Sequence, residues 1–224
     1  MGEGAIRSGW VAPELAQELP GLEVFWLTVD AAPARTPEPI RRRMRDLADR
    51  ITGAKVVQSR RDSVPWSYRV LWRRLGVDPD VDRTPVEALM VQRLEYGGLP
   101  SRGMPNDAIV VATLETGVPI VVVDAARVSG RPGLRPAATG EAIGADRPLR
   151  GGEVIYADER APLARLDGEV ATDVAVGDGT TSMLVCALAA SAVSRLEIDE
   201  ALWTAARMLE AIGRVEGSNP GRTQ

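Results

Sequence analysis

The chain has 224 residues, of which 45% are apolar, and a formal net charge of −4. That length and composition support a sizeable core and exclude a disordered chain, and the acidic balance argues against tight non-specific DNA or RNA binding, which needs phosphate neutralisation. There is no histidine and only one cysteine, Cys186, which excludes a disulfide framework, Cys- or His-built metal sites, imidazole bases, and Ser-His or Cys-His nucleophile pairs.

Lys55 is the single lysine among 27 cationic side chains, an arginine bias read as genome composition rather than a nucleic-acid signal. The start, MGEGAIRSGW, lacks the apolar stretch of a signal peptide, and no charge-free apolar run approaches a membrane span. A cytoplasmic protein with no membrane partner is expected. Residues 22–29, LEVFWLTV, are β-branched and aromatic and predict a strand. After a Pro-rich loop, a helix is expected at about 37–52, with Thr36 as its cap, Pro37 at its first position and Gly53 just past its end. Ile40, Met44, Leu47, Ala48 and Ile51 form its apolar stripe. Arg41, Arg42, Arg43, Arg45 and Arg50 lie mostly outside that stripe, as a solvated face or a phosphate-facing patch.

A second helix is expected over 65–75, ending at Gly76. It interleaves Trp66, Tyr68 and Trp72 with Arg69, Arg73 and Arg74. Such a mixture can stack bases, but Tyr68 and Trp72 at i, i+4 are more simply a core stripe. A third helix starts at TPVE, where Thr84 and Glu87 have capping-box spacing. Val86, Met90 and Leu94 make its buried side, and Gly97-Gly98 ends it. A fourth is expected at about 105–115.

The pattern then changes. VPIVVVD, GLRPAAT, GEVIYAD, PLARL, EVATDVAV and TTSMLVCAL read as short strands separated by Gly, Pro and Asp. A closing helix places Ile198, Leu202, Ala205, Leu209 and Ile212 on one face, and the tail GSNPGRTQ should fray. Helices, then strands, then a helix predict an α+β fold in a single domain over 1–224.

Two family resemblances compete. VAVGDGTTSMLV (174–185) is similar to the GDGTT loop of the chaperonins, where Gly177 and Gly179 would permit a tight backbone, Asp178 would meet a metal and the Thr hydroxyls a phosphate. The plain alternative is a turn between two strands. The longer resemblance covers roughly 65–185. LWRRLGVDPDVDRTPVEALMVQRL resembles the lead-in of the B3/B4 domain of the phenylalanyl-tRNA synthetase β subunit, and particularly its free-standing bacterial versions, with Gly76, Asp78, Pro79, Glu87, Ala88, Leu89 and Arg93 matching. Gly97-Gly98-Leu99-Pro100 follows, then Asp107, Gly117, Pro119 and Asp124 at the family's spacing, then GGEVIYAD at 151–158. Residues 1–60 would be an N-terminal strand and helix extension.

That resemblance implies a three-layer α+β arrangement with an irregular β-sandwich packed by helices. It also implies tRNA binding, and in the synthetase hydrolysis of tyrosine wrongly attached to the phenylalanine tRNA. Implied partners are a tRNA or aminoacyl-tRNA end, or an aromatic amino acid-like ligand; no cofactor is implied. The chain departs from the family at polar positions: Gly103 and Val110 stand where the family has Asn, and Val121 where the synthetase has His. Hydrolysis without His needs a carboxylate to orient water and backbone N–H groups for the oxyanion. Asp107 and Glu153 are the candidate catalytic carboxylates, each with a structural alternative in capping or turn bonding. Gly97, Gly98, Pro100, Pro119, Val121, Asp158 and Arg165 are the candidate binding residues, Arg165 as either an ion-pair partner or an anion contact. No class II synthetase motifs are visible, so ligase activity is not expected. The remaining alternatives are a small-molecule or protein binding module without catalysis, and nucleotide binding through GDGTTS.

Overall fold

A computed structural model describes residues 5–145 and 147–216, with side chains through residue 211. The tail 217–224 and the side chain of Ile212 therefore lie outside the described residues.

Two four-stranded sheets stack face to face and helices cover the outer face of one of them. The first sheet holds β1 (Arg7–Ser8), β3 (Glu23–Val29), β8 (Met183–Ala189) and β4 (Ile120–Asp124), in that order and all antiparallel. The second holds β2 (Trp10–Val11), β5 (Gly133–Pro136), β6 (Val154–Ala157) and β7 (Pro162–Arg165), with β2 and β5 parallel. Gly9 carries the chain from one sheet to the other. Its N–H donates to Val24 O at 2.8 Å, and a Cβ there would meet Pro132 O at 2.3 Å. Only glycine fits where the two sheets come this close.

The helical layer contains α6 (Asn106–Thr116) and α7 (Arg195–Glu216), which pack on each other and on the first sheet. Ile198, Leu202, Ala205 and Leu209 of α7 are all fully buried. With helices on one face and a sheet on the other, β4 and β8 are buried along their whole length. That is why IVVV and MLVCALA read as unbroken apolar runs rather than alternating ones. Around this layer stand α2 (Glu38–Arg50), α3 (Gly53–Ser59), α4 (Ser63–Arg74) and α5 (Pro85–Tyr96), while α1 (Pro13–Glu18) lies against β5. The result is an α+β fold with three layers. Among the described residues no helix is long and apolar enough to cross a membrane.

Several local expectations are corrected. Thr36 does not cap α2. Pro37 occupies that position, and the Thr36 hydroxyl donates to Asp107 instead. Gly53 does not close α2 but opens α3, a helix not expected from the sequence, which Thr52 caps by accepting from Lys55 N at 3.2 Å. Thr84 precedes α5, but its hydroxyl donates to the Glu87 carboxylate at 3.1 Å rather than accepting a backbone N–H. Leu94 is 40% exposed, and Glu87 takes a buried place on α5 because Arg69 reaches it. EVATDVAV forms no strand; Thr172–Val174 is a single 3₁₀ turn, and Val170 makes one bridge to Ala164.

The aromatic helix divides. Tyr68 and Trp72 are core residues, and the Tyr68 hydroxyl donates to Leu188 O at 2.5 Å. Burial pushes that phenol well above its ordinary pKa. Trp66 stays 47% exposed with the Arg73 guanidinium over its ring. Arg41, Arg42, Arg43, Arg45 and Arg50 all face solvent, and Glu38 and Glu115 pair with three of them.

Candidate functional site

A cleft of about 810 Å³ opens along one margin of the first sheet, within the ~300–1,000 Å³ usual for ligand sites. α5 and α6 form one wall, the loop 99–107 closes one end, and the segments 166–170 and 175–178 form the opposite wall. Its floor is Pro119, Ile120, Val121 and Val122. The stretch 93–124, which carries most of the family-like spacing, therefore builds both floor and wall.

Asp107 lies behind the cleft wall, fully buried in the first turn of α6. Its Oδ2 accepts from Thr36 Oγ1 at 2.5 Å and from Ser101 Oγ, and its Oδ1 accepts from Arg102 N at 2.8 Å. Of about four acceptor positions on a carboxylate, three are taken by protein donors. The group ties the loop at 101–102 and the chain entering α2 to the start of α6. Pro100, Pro119 and Val121 line the cleft directly. Gly97, at φ +72°, closes α5 in the left-handed region. Neither it nor Gly98 lines the cleft.

Glu153, Asp158 and Arg165 lie elsewhere, around the hairpin turns of the second sheet. Glu153 accepts from Arg150 N at 3.1 Å and pairs with Arg165 Nη1 at 3.6 Å. Arg165 also pairs with Glu169 at 3.2 Å and donates to Pro148 O at 2.7 Å. Asp158 accepts from Ser129 N, Arg160 N and Ala161 N at 2.7–2.8 Å, a complete turn-closing set. The structure thus brings Asp107, Pro100, Pro119 and Val121 together and leaves Glu153, Asp158 and Arg165 outside.

The charges that face the cleft are Glu95 at the end of α5, Arg102, Asp167 and Asp178, all solvent-facing. Sequence reasoning singled out only Asp178 among them, and for a metal in the GDGTT loop rather than for this cleft. Asp167 accepts from Glu169 N at 2.9 Å, and the surrounding protein withdraws enough water to hold its carboxyl above the ordinary aspartate range. Asp178 belongs to the GDGTT turn. That turn is closed by Thr180 N donating to Gly177 O at 2.9 Å, and the Thr180 hydroxyl donates to Asp124 Oδ2 at 2.7 Å. Thr180 is thus buried as a brace for the end of β4, while Asp178 points to the cleft mouth. Nothing in local sequence pattern signals this convergence, since 95, 167 and 178 meet only through the fold. Burial pushes the Cys186 thiol far up, so it stays protonated in the core.

No known family's sequence profile matches the chain. Among characterised proteins it is similar to a phenylalanine–tRNA ligase beta subunit from Streptomyces avermitilis, at 31% identity over 116 residues. That match covers 49% of this chain but only 14% of the ligase subunit, so the chain is similar to part of that subunit and spans a small share of its length.

Proposed function

We propose that the chain is a B3/B4-type domain, of the kind found outside the synthetase, whose cleft receives a tRNA end or an aromatic amino acid-like ligand. The observation that carries this reading is the placement of residues 99–122: the family-like Pro100, Asp107 and Pro119 converge on the cleft. The similarity to a phenylalanine–tRNA ligase subunit supports the tRNA partner, and a cytoplasmic location goes with it. Binding is better supported than hydrolysis. Asp107 is engaged by three donors, and Glu153 stands outside the cleft in an ion pair. A hydrolase here would have to use the one acceptor position left on Asp107.

A second reading is a partner-binding module on the same scaffold without catalysis. Glu95, Asp167 and Asp178 favour it: three carboxylates against Arg102 alone repel phosphates that approach the cleft. The deciding experiment is filter binding of phenylalanine tRNA, uncharged and tyrosylated, with release of tyrosine followed in parallel. Ala88 is exposed on the cleft wall, so Ala88→Trp fills the cleft without touching the core. Binding that Ala88→Trp abolishes supports the first reading. Hydrolysis lost in Asp107→Asn, with the fold intact, would restore the enzyme. No tRNA binding at micromolar protein would remove the tRNA reading.

A further inference from the structure

The floor of the cleft is a sheet edge. Among the described residues β4 pairs with β8 on one side and with no strand on the other. Pro119, Ile120, Val121 and Val122 line the cleft consecutively; a sheet face would present only alternate residues. The ladder fixes which backbone groups point outward. Ala125 N donates to Ser182 O at 3.0 Å, and the register sets Val123 opposite Leu184 and Val121 opposite Cys186. In an antiparallel pair, hydrogen-bonded and non-bonded positions alternate. Val123 and Val121 therefore bond to β8, as Ala125 does to Ser182 just before it. Ile120 and Val122 turn their N–H and C=O groups to the open side, where among the described residues no hydrogen bond reaches them.

An open edge is ordinarily blunted by charge, proline or a covering loop. Here it is sunk between two walls, with Ile120 and Val122 only 4% and 3% exposed. A second sheet cannot reach it, and a single extended chain would have to enter along the cleft of about 810 Å³. The walls set the charge of that chain. Among the described residues Glu95 and Asp178 have no ion-pair partner, and Arg102 is the one cation among the cleft-lining residues.

The geometry points to strand addition: an extended peptide carrying basic side chains pairs with the Ile120 and Val122 edge of β4 and sets its cations against Asp167 and Asp178. This rests on the second of the two readings above, that the cleft serves a partner without catalysis, and names the partner's chemistry. Main-chain bonds would give affinity to any extended segment, and the carboxylates would select a basic one.

The test uses the full chain and three labelled peptides: Val-Arg-Val-Arg-Val, its Val-Glu-Val-Glu-Val counterpart, and the Arg peptide with alternate backbone amides N-methylated. The Arg peptide is expected to bind, and each of the others at least ~10-fold more weakly, the loss of about two net hydrogen bonds or of the charge match. Asp167→Asn with Asp178→Asn, both exposed, should weaken the Arg peptide by several-fold and improve binding of the Glu peptide; an Arg peptide bound as tightly as by wild type overturns the charge match. In ¹⁵N spectra the Ile120 and Val122 amides should shift and gain exchange protection on binding, while Val121 and Val123 stay protected throughout. Equal binding of the N-methylated peptide, or unmoved Ile120 and Val122 amides, overturns strand addition. Tight tRNA binding with no peptide bound at millimolar concentration overturns it too and leaves the first reading standing. Peptide binding without tRNA binding removes the first reading alone.

Discussion

Thr36 and Asp107, 71 positions apart in the chain, share a buried hydrogen bond of 2.5 Å that joins the entry of α2 to the first turn of α6. The same carboxylate takes Ser101 and the Arg102 N–H. Asp107→Asn puts an amide donor where hydroxyls already donate, and unpaired buried donors cost about 1–3 kcal/mol each. A loss of about 2–3 kcal/mol in urea unfolding is expected for Asp107→Asn, and about 1–2 kcal/mol for Thr36→Val. Equal stability of wild type and Asp107→Asn would show that the carboxylate is not holding the loop.

Arg69 and Glu87 form the second buried polar link. Arg69 Nη1 lies 2.6 Å from Glu87 Oε1, with side-chain exposures of 4% and 1%, and Asp80 takes Nη2 at 2.7 Å. Glu87→Leu should cost up to about 3–5 kcal/mol, because it leaves the buried guanidinium with Asp80 alone and its Nη1 unpaired. The double variant Arg69→Met with Glu87→Leu should be more stable than Glu87→Leu alone. A double variant that is less stable than the sum of the singles would sink this account.

Those two links show why the sequence was readable in some places and not in others. The apolar stripe of α2, the IVVV and MLVCAL strands and the left-handed stop at Gly97 follow from local spacing, and they stand where the pattern places them. Thr36, Thr84 and Glu87 do not, because each of these side chains found a better partner than the helix backbone. Local rules rank a cap against water; they cannot see Asp107 or Arg69 arriving from another element. The candidate site was legible only in its floor and one wall. Pro100, Pro119 and Val121 sit on one continuous segment, whereas Asp167 and Asp178 reach the cleft from loops whose path depends on the second sheet. Gly53 misled because a glycine after a helical stripe is as free to open a new helix as to end the old one.

Two cleft-side and sheet-side carboxylates should respond to pH with opposite sign. The Arg135 guanidinium, bonded to Glu141 through two contacts of 2.6 Å, holds the Glu141 carboxyl below its usual range. A lowered folded-state pKa gives stability that is present above the unfolded value and lost as pH falls through the folded one. Asp167 is raised, chiefly by desolvation. Its ionised form is therefore a burden above the folded pKa, which lifts as pH falls towards the unfolded value. Glu141→Gln should lower the melting temperature at neutral pH, with the difference closing in acid. Asp167→Asn should raise it slightly at neutral pH, and that gain should also vanish in acid. Opposite signs for the two variants at neutral pH, measured by thermal melts, are the required outcome.

Trp66 and Trp72 give a test of which face of α4 is open. Trp72 is buried in the core, whereas Trp66 is half-exposed beneath Arg73. Trp72→Ala should cost about 3–5 kcal/mol, the usual penalty for emptying a large aromatic site. Trp66→Ala should change stability by no more than about 0.5–1 kcal/mol, the range for a surface residue with one exposed cation–π contact. Trp66→Phe should also reduce acrylamide-quenchable fluorescence more than Trp72→Phe, since Trp66 is 47% exposed and Trp72 is shielded in the core. If Trp66→Ala leaves stability intact but weakens tRNA binding, the Trp66–Arg73 pair becomes a base-stacking contact on the outside of the fold. If tRNA binds and Trp66→Ala leaves that binding unchanged, the next surface to test beside the cleft is the arginine face of α2, where Arg42 and Arg50 stand exposed, and Arg42→Glu with Arg50→Glu should then reduce the salt dependence of binding.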